Sequence, residues 1–186
     1  MIFTPAKVQG AFRIELERRT DQRGYFARAW CQQEFAAHGL APCIAQINVS
    51  HTMRQGALRG LHFQVPPFEE AKVVSCTRGA IYDVVVDLRP DSPTYLAWDA
   101  MELTAENRGM FYIPTGCAHG FQTLTADAEV LYFMSELYAP ALGRGVRYDD
   151  PAFNIEWPLP VSELSEADRT WPAFDAARRS LHEASS

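Results

Sequence analysis

His62 and His119 are the two residues around which chemistry could be organised. His62 lies in Arg59-Gly-Leu-His62-Phe-Gln64, a short extended stretch in which Leu61 and Phe63 point one way while Gly60, His62 and Gln64 point the other. That alternation turns His62 into a barrel or out of it, and a satisfied core histidine is the competing reading. His119 lies in Ile113-Pro-Thr-Gly-Cys-Ala-His119-Gly-Phe121, where Pro114 and Gly116 force a tight turn that delivers the imidazole to the start of the next strand. Lys72, in Glu-Ala-Lys72-Val-Val, opens a strand soon after His62 and could set a cation beside a developing oxyanion. Tyr132 and Tyr138 offer a phenol for proton donation and a ring for stacking, although strand tyrosines usually pack and lysines are usually solvated.

The two histidine segments resemble the paired signatures of the cupin superfamily. Metal-dependent cupins draw ligands from an H-x-H pair, an acid and the later histidine. Here Gln64 stands at the second position of the pair, and an amide oxygen is a poor replacement for imidazole at a transition metal. Glu69 or Glu70 could supply the acid, which keeps a metal centre open as the minor reading. A cavity with two histidines and an incomplete ligand set points instead to proton transfer.

The elements that must hold these residues are mostly short strands. Phe3 to about Leu16 reads as one extended run, broken by the turn-forming Thr20-Asp-Gln-Arg-Gly24. Cys31–His38 has helix formers, with Gly39 as a stop and Pro42 preventing continuation. From residue 44 to residue 135 short apolar runs alternate with Gly, Pro, Asp and Asn: Lys72–Cys76, Ala80–Leu88, Gly109–Ile113, Gly120–Leu124 and Ala128–Met134. No long helical period intervenes to suggest βαβ units, many short strands imply a sandwich or jelly roll, and with the cupin resemblance a mainly β cupin jelly-roll (double-stranded β-helix) barrel with short flanking helices is expected. Tyr148–Asn154 reads as loop, and Ser165-Glu-Ala-Asp168 as the start of a capped helix. Residues 1–186 are expected to form a single domain, its core spanning about residues 2–172, with a frayed end over Leu181–Ser186.

Composition narrows the function classes. An apolar share of 47% with 12% aromatic residues fits a folded chain rather than a disordered one. A net charge of −6 gives no electrostatic reason to bind nucleic acid or an anionic membrane, yet two or three placed arginines can still hold a diphosphate. The four cysteines are widely spaced with no C-x-x-C pair, which argues against structural zinc and secretion. The start MIFTPAKVQGAF has no basic region ahead of a long apolar run, and no stretch approaches the roughly 20 apolar residues of a bilayer span. A cytoplasmic protein is expected.

The ordered set Asp21-x-Arg23-Gly-x-Phe26, Arg59-Gly-Leu-His62, Ala71-Lys72, Ile113-Pro-x-Gly-x-Ala-His119-Gly-Phe121, Tyr132, Tyr138-Ala-Pro, Asp150-Pro and Trp157-Pro resembles the dTDP-4-dehydrorhamnose 3,5-epimerase family over about residues 2–172. The resemblance implies epimerisation of a nucleotide-linked 4-keto-6-deoxyhexose, by removing a proton beside the C4 ketone and returning one to the opposite face. It implies His62 as base, Asp168 as its carboxylate partner, Lys72 at the enolate oxygen and Tyr132 as proton donor. It places Arg23 and Arg59 on the diphosphate or sugar, and Phe26, Gln46, Asn48, His119 and Tyr138 around the nucleotide and hexose. It implies no metal or other cofactor, and a homodimer in which N-terminal strands help complete the partner's pocket.

Sequence alone favours a different explanation of Asp168, since Ser165-x-x-Asp168 accounts for an acid there by capping. Three positions depart from the family pattern: Arg28 where many members carry an acid, Phe133 where many carry lysine, and Cys117 in place of a common aromatic. The alternatives are a 3- or 5-mono-epimerase or ketoisomerase on a related dTDP-sugar and, more distantly, a metal-dependent cupin oxygenase or a non-catalytic sugar-binding cupin.

Overall fold

In the computed structural model, residues 1–174 are described, and the expected fray over Leu181–Ser186 lies outside them. The chain opens with a hairpin rather than one extended run. Strands β1 (Ile2–Pro5) and β2 (Phe12–Glu15) pair antiparallel, with Phe3 opposite Ile14. The expectation of continuous extension over Phe3–Leu16 is therefore corrected. Ala11 donates to Val8 O and Ala6 to Ala11 O, and Gly10 takes φ +79°, a left-handed conformation that reverses the chain and that glycine adopts without steric cost.

The turn-forming segment that follows is the tip of a second, small hairpin, β3 (Arg19–Asp21) with β4 (Gly24–Phe26). Helix α1 (Gln32–Ala37) ends at His38 with Gly39 at φ +70°, as its stop signals implied. Its Phe35 is fully buried against Val73, Met110 and Tyr112, contributing on the order of 2–3 kcal/mol and pinning the helix to a sheet.

The remaining strands are β5 (Gln46–Thr52), β6 (Leu58–Gln64), β7 (Lys72–Arg78), β8 (Ala80–Asp87), β9 (Trp98–Thr104), β10 (Met110–Ile113), β11 (Cys117–Thr123), β12 (Ala128–Met134) and β13 (Gly143–Gly145). They build a six-stranded sheet in the order β1-β2-β10-β7-β12-β5 and a five-stranded sheet in the order β13-β6-β11-β8-β9. The pairings within both are antiparallel, and the result is the expected cupin jelly roll.

Alternation along the strands sorts the side chains into layers. Val74, Phe111 and Val130 of the larger sheet meet Ile81, Val85 and Phe121 of the smaller one in the interior. Leu61 and Phe63 lie in a second core behind the smaller sheet, with Val84, Ala118 and Phe153. His62 consequently faces the interior.

One close approach fixes the register that matters. A Cβ on Gly60, which has φ +119°, would lie 2.6 Å from Gly120 Cα, so β6 and β11 touch here in a way only glycine permits. The ladder shifts between His119 and Phe121, and His119 falls directly opposite His62. Beyond β13 the chain returns along the open end of the barrel. Leu58 donates to Glu163 O, and helix α2 (Glu166–Thr170) then packs beside β6.

Candidate active site

The two histidines stand side by side on the inner face of the smaller sheet, and each has found a carboxylate from a different part of the chain. His62 Nε2 lies 2.6 Å from Asp168 Oδ1, so that its ring N–H donates to the acid. Asp168 also accepts from Gly60 N at 3.4 Å through Oδ2 and from Trp171 Nε1 at 3.4 Å through Oδ1. Burial pushes the Asp168 carboxyl up, but the hydrogen bond and charge of His62, with Ser165 and the Gly60 amide, outweigh it and hold the group below the usual carboxylate value.

The capping explanation of Asp168 turns out to be compatible with a place in the site. Ser165 Oγ accepts from the Asp168 backbone N–H at 3.1 Å, which uses the main chain and leaves the carboxylate free to reach His62. His62 Nδ1 has no protein partner among the described residues, and the His62 side chain is 46% exposed, so this nitrogen is open to a ligand.

His119 Nε2 lies 2.8 Å from Asp83 Oδ1, with both groups buried. Here burial dominates and pushes the Asp83 carboxyl up, against the opposing charges of His119 and Lys72. Asp83 Oδ2 has no partner among the described residues. Asp83 is the main residue that sequence reasoning missed. The signal was present: Ile81, Asp83 and Val85 share a strand face, so an acid sits among core positions of an apolar run.

Facing the histidines across the interior is Tyr132 of β12, whose ring packs edge-on to His119 at 6.0 Å. Burial pushes its phenol well above the ordinary tyrosine value and the nearby Asp83 charge adds to the shift, while Ser50 and Arg59 offset part of it. The group is a protonated donor at neutral pH. Lys72 opens β7 and points inward, its Nζ 3.0 Å from Glu70 Oε1 and 3.3 Å from His62 O.

Two adjoining cavities give these groups access to solvent. The smaller one, ≈ 230 Å³, is lined by Asn48, Arg59, Lys72 and His119, and the larger one, ≈ 640 Å³, by Thr52, Met53, Leu164 and Asp168. Ser50, Arg59, His62 and Tyr132 line both, so base and phenol stand at the junction. Arg59 is braced there by Thr52 Oγ1 at 2.9 Å and His51 O at 3.2 Å. A guanidinium held in this way suits phosphate oxygens.

At the mouth, Gln46 donates to Asn48 Oδ1 at 3.3 Å and accepts from Tyr138 N at 2.8 Å, and the Tyr138 ring is exposed. The structure thus brings His62, Asp168, Lys72, Tyr132, His119, Arg59 and Asn48 together, with Gln46 and Tyr138 linked to them. It does not bring Arg23 and Phe26 there. Both lie on the exposed β3–β4 hairpin, where Arg23 pairs with Asp21 at 2.6 Å and Phe26 is 72% exposed.

Gln64, at the broken metal-ligand position, is committed to the backbone. Its amide N–H group donates to Phe68 O at 2.8 Å and Leu137 O at 3.2 Å, and its oxygen accepts from Ala139 N at 2.6 Å. Among the described residues no three His, Cys, Asp or Glu side chains converge as they would around a metal ion. The three departures lie apart from the cavities: Arg28 pairs with Glu34 at 2.7 Å, Phe133 packs on the outer face near Phe35, and Cys117 is buried, its thiol pushed up to about 12.

Comparison with known proteins gives a consistent result. Residues 5–176 match the family described as dTDP-4-dehydrorhamnose 3,5-epimerase. The protein of that name from Methanothermobacter thermautotrophicus is 43% identical over 172 residues, 91% of this chain and 92% of its own. A crystal structure of dTDP-4-dehydrorhamnose 3,5-epimerase from Elizabethkingia anophelis superposes with a TM-score of 0.90 at 37% identity, covering 94% of this chain and 96% of that one. The Legionella pneumophila dTDP-6-deoxy-D-glucose-3,5-epimerase in complex with dTDP-4-keto-L-rhamnose superposes with a TM-score of 0.84 at 32% identity, covering 94% and 99%.

Proposed function

The chain belongs to the dTDP-4-dehydrorhamnose 3,5-epimerase family, and on that footing we propose that it converts dTDP-4-dehydro-6-deoxy-D-glucose to dTDP-4-dehydro-L-rhamnose. The observation that carries the reading is the placement of base and acid on opposing sheets. His62 comes from β6 of the smaller sheet and Tyr132 from β12 of the larger, and both line the junction of the cavities. A sugar ring held between them presents one face to each.

The chemistry follows from that placement. His62, held by the ionised Asp168, takes the proton from the carbon beside the ketone through its open nitrogen, and Asp168 stabilises the imidazolium that forms. The electron pair moves onto the ketone oxygen, where the Lys72 ammonium meets the developing charge. Tyr132 returns a proton from the other side, which inverts the centre. Burial raises the pKa of this phenol, which keeps it protonated until the enolate carbon takes the proton. Arg59 holds the diphosphate, and Asn48, Gln46 and Tyr138 border the nucleotide.

Arg23 and Phe26 find their place in a homodimer, where the exposed β3–β4 hairpin of one protomer completes the pocket of the other. The exposed Ile47 and Val49 on β5, an edge strand, support an assembly that covers them. The free thiols of all four cysteines fit the reducing cytoplasm. Incubating the protein with dTDP-4-keto-6-deoxyglucose in deuterated water tests the reading. Deuterium should enter at C3 and C5 with formation of the L-rhamno product, and no exchange at either carbon would refute it for that substrate.

A further inference from the structure

Lys72 is nearly enclosed, its side chain 8% exposed, and an ammonium has three protons to donate. One contact goes to Glu70 Oε1 at 3.0 Å and one to the His62 carbonyl at 3.3 Å. A single N–H then remains, and Lys72 lines the smaller cavity while Glu70 lies outside its lining. Glu70 is itself buried, and its second oxygen, Oε2, has no hydrogen-bond partner among the described residues. A buried acceptor without a partner is a cost to the fold, so packing alone is a poor account of an acid at this position.

A buried ammonium needs a close counter-charge, or it gives up its proton or moves away. Asp83 is also near Lys72, but its Oδ1 is taken by His119 Nε2 at 2.8 Å, whereas Glu70 Oε1 lies 3.0 Å from the ammonium. Glu70 is the close carboxylate that remains. Resting on the epimerase reading above, we propose that Glu70 is a positioning residue for Lys72, fixing the ammonium in the cavity wall with its third N–H directed to the enolate oxygen. Glu70 touches no reacting atom and works only through Lys72.

The substitution Glu70→Gln keeps the shape and one acceptor but removes the charge. Deuterium exchange into dTDP-4-keto-6-deoxyglucose, followed over long incubations, should show kcat reduced by about tenfold or more with KM within about threefold of wild type. In a Lys72→Met background, where exchange is already slow, Glu70→Gln should add less than about twofold. An equal loss in both backgrounds would overturn the proposal, because Glu70 would then act on the fold or on another group, and so would an unchanged kcat. Cooperative melting and calorimetric binding of dTDP establish that each variant is folded. If Glu70→Gln does not fold, Glu70→Asp carries the same comparison, since withdrawing the carboxylate by one methylene should slow exchange only while Lys72 is present. Absence of exchange by the wild-type protein would overturn the epimerase reading itself, and this proposal with it.

Discussion

The protein holds two His–Asp pairs next to one another, and they have opposite electrostatic characters. In His62–Asp168 the acid is buried but has several donors and is held below its usual pKa, while the imidazole is half exposed. In His119–Asp83 both partners are buried, one carboxylate oxygen is unpaired, and burial pushes the acid up. Identical residue types therefore give a pair that can accept a proton from substrate and a pair that stays in the wall. Access and hydrogen-bond supply decide between them, not the pairing itself.

Removing the base should have the largest effect. His62→Asn should reduce exchange at C3 and C5 by at least about 10⁴-fold while dTDP binding and melting stay near wild type. Retained activity would take His62 out of the role. Asp168→Asn leaves the imidazole in place but removes its charged partner, and kcat should fall by about 10²–10³-fold. The equivalent change in the wall pair, Asp83→Asn, should alter kcat by only a few-fold, as measured by the same exchange.

Stability against pH should separate the pairs as well. Asp168 has a depressed folded pKa, so its contribution is present above the unfolded carboxylate value near 4 and is lost as pH falls through the lower folded value. Asp83 has a raised folded pKa, so its contribution is present below about 4 and is lost as pH rises through the higher folded value. Denaturant titrations across this range should show Asp83→Asn flattening the loss at rising pH and Asp168→Asn flattening the loss at falling pH.

Much of this contrast was legible in the sequence, and the illegible parts have physical reasons. Strand alternation around Leu61 and Phe63 put His62 on one face, and the turn before His119 delivered the second imidazole. Their exact opposition was not legible, because it depends on the close contact of Gly60 with Gly120 and the register shift beside it. Asp168 looked like a capping residue because the capping and pairing atoms belong to the same residue, and only the folded chain returns α2 to β6. Asp83 was readable from its strand face but lay inside a run that reads as apolar. Reading Phe3 to about Leu16 as one extended run missed the chain reversal between β1 and β2, where Gly10 takes a left-handed conformation.

In the proposed mechanism base and acid act from opposing sheets on opposite faces of one sugar ring. It is tested most directly by Tyr132→Phe, comparing the rate of deuterium entry with the rate of inversion in the same sample by proton NMR. Exchange at the carbons beside the ketone should persist, because His62 still removes and returns the proton on its own face, while formation of the inverted product should drop by about 10²-fold or more. Inversion by Tyr132→Phe at the wild-type rate would contradict it.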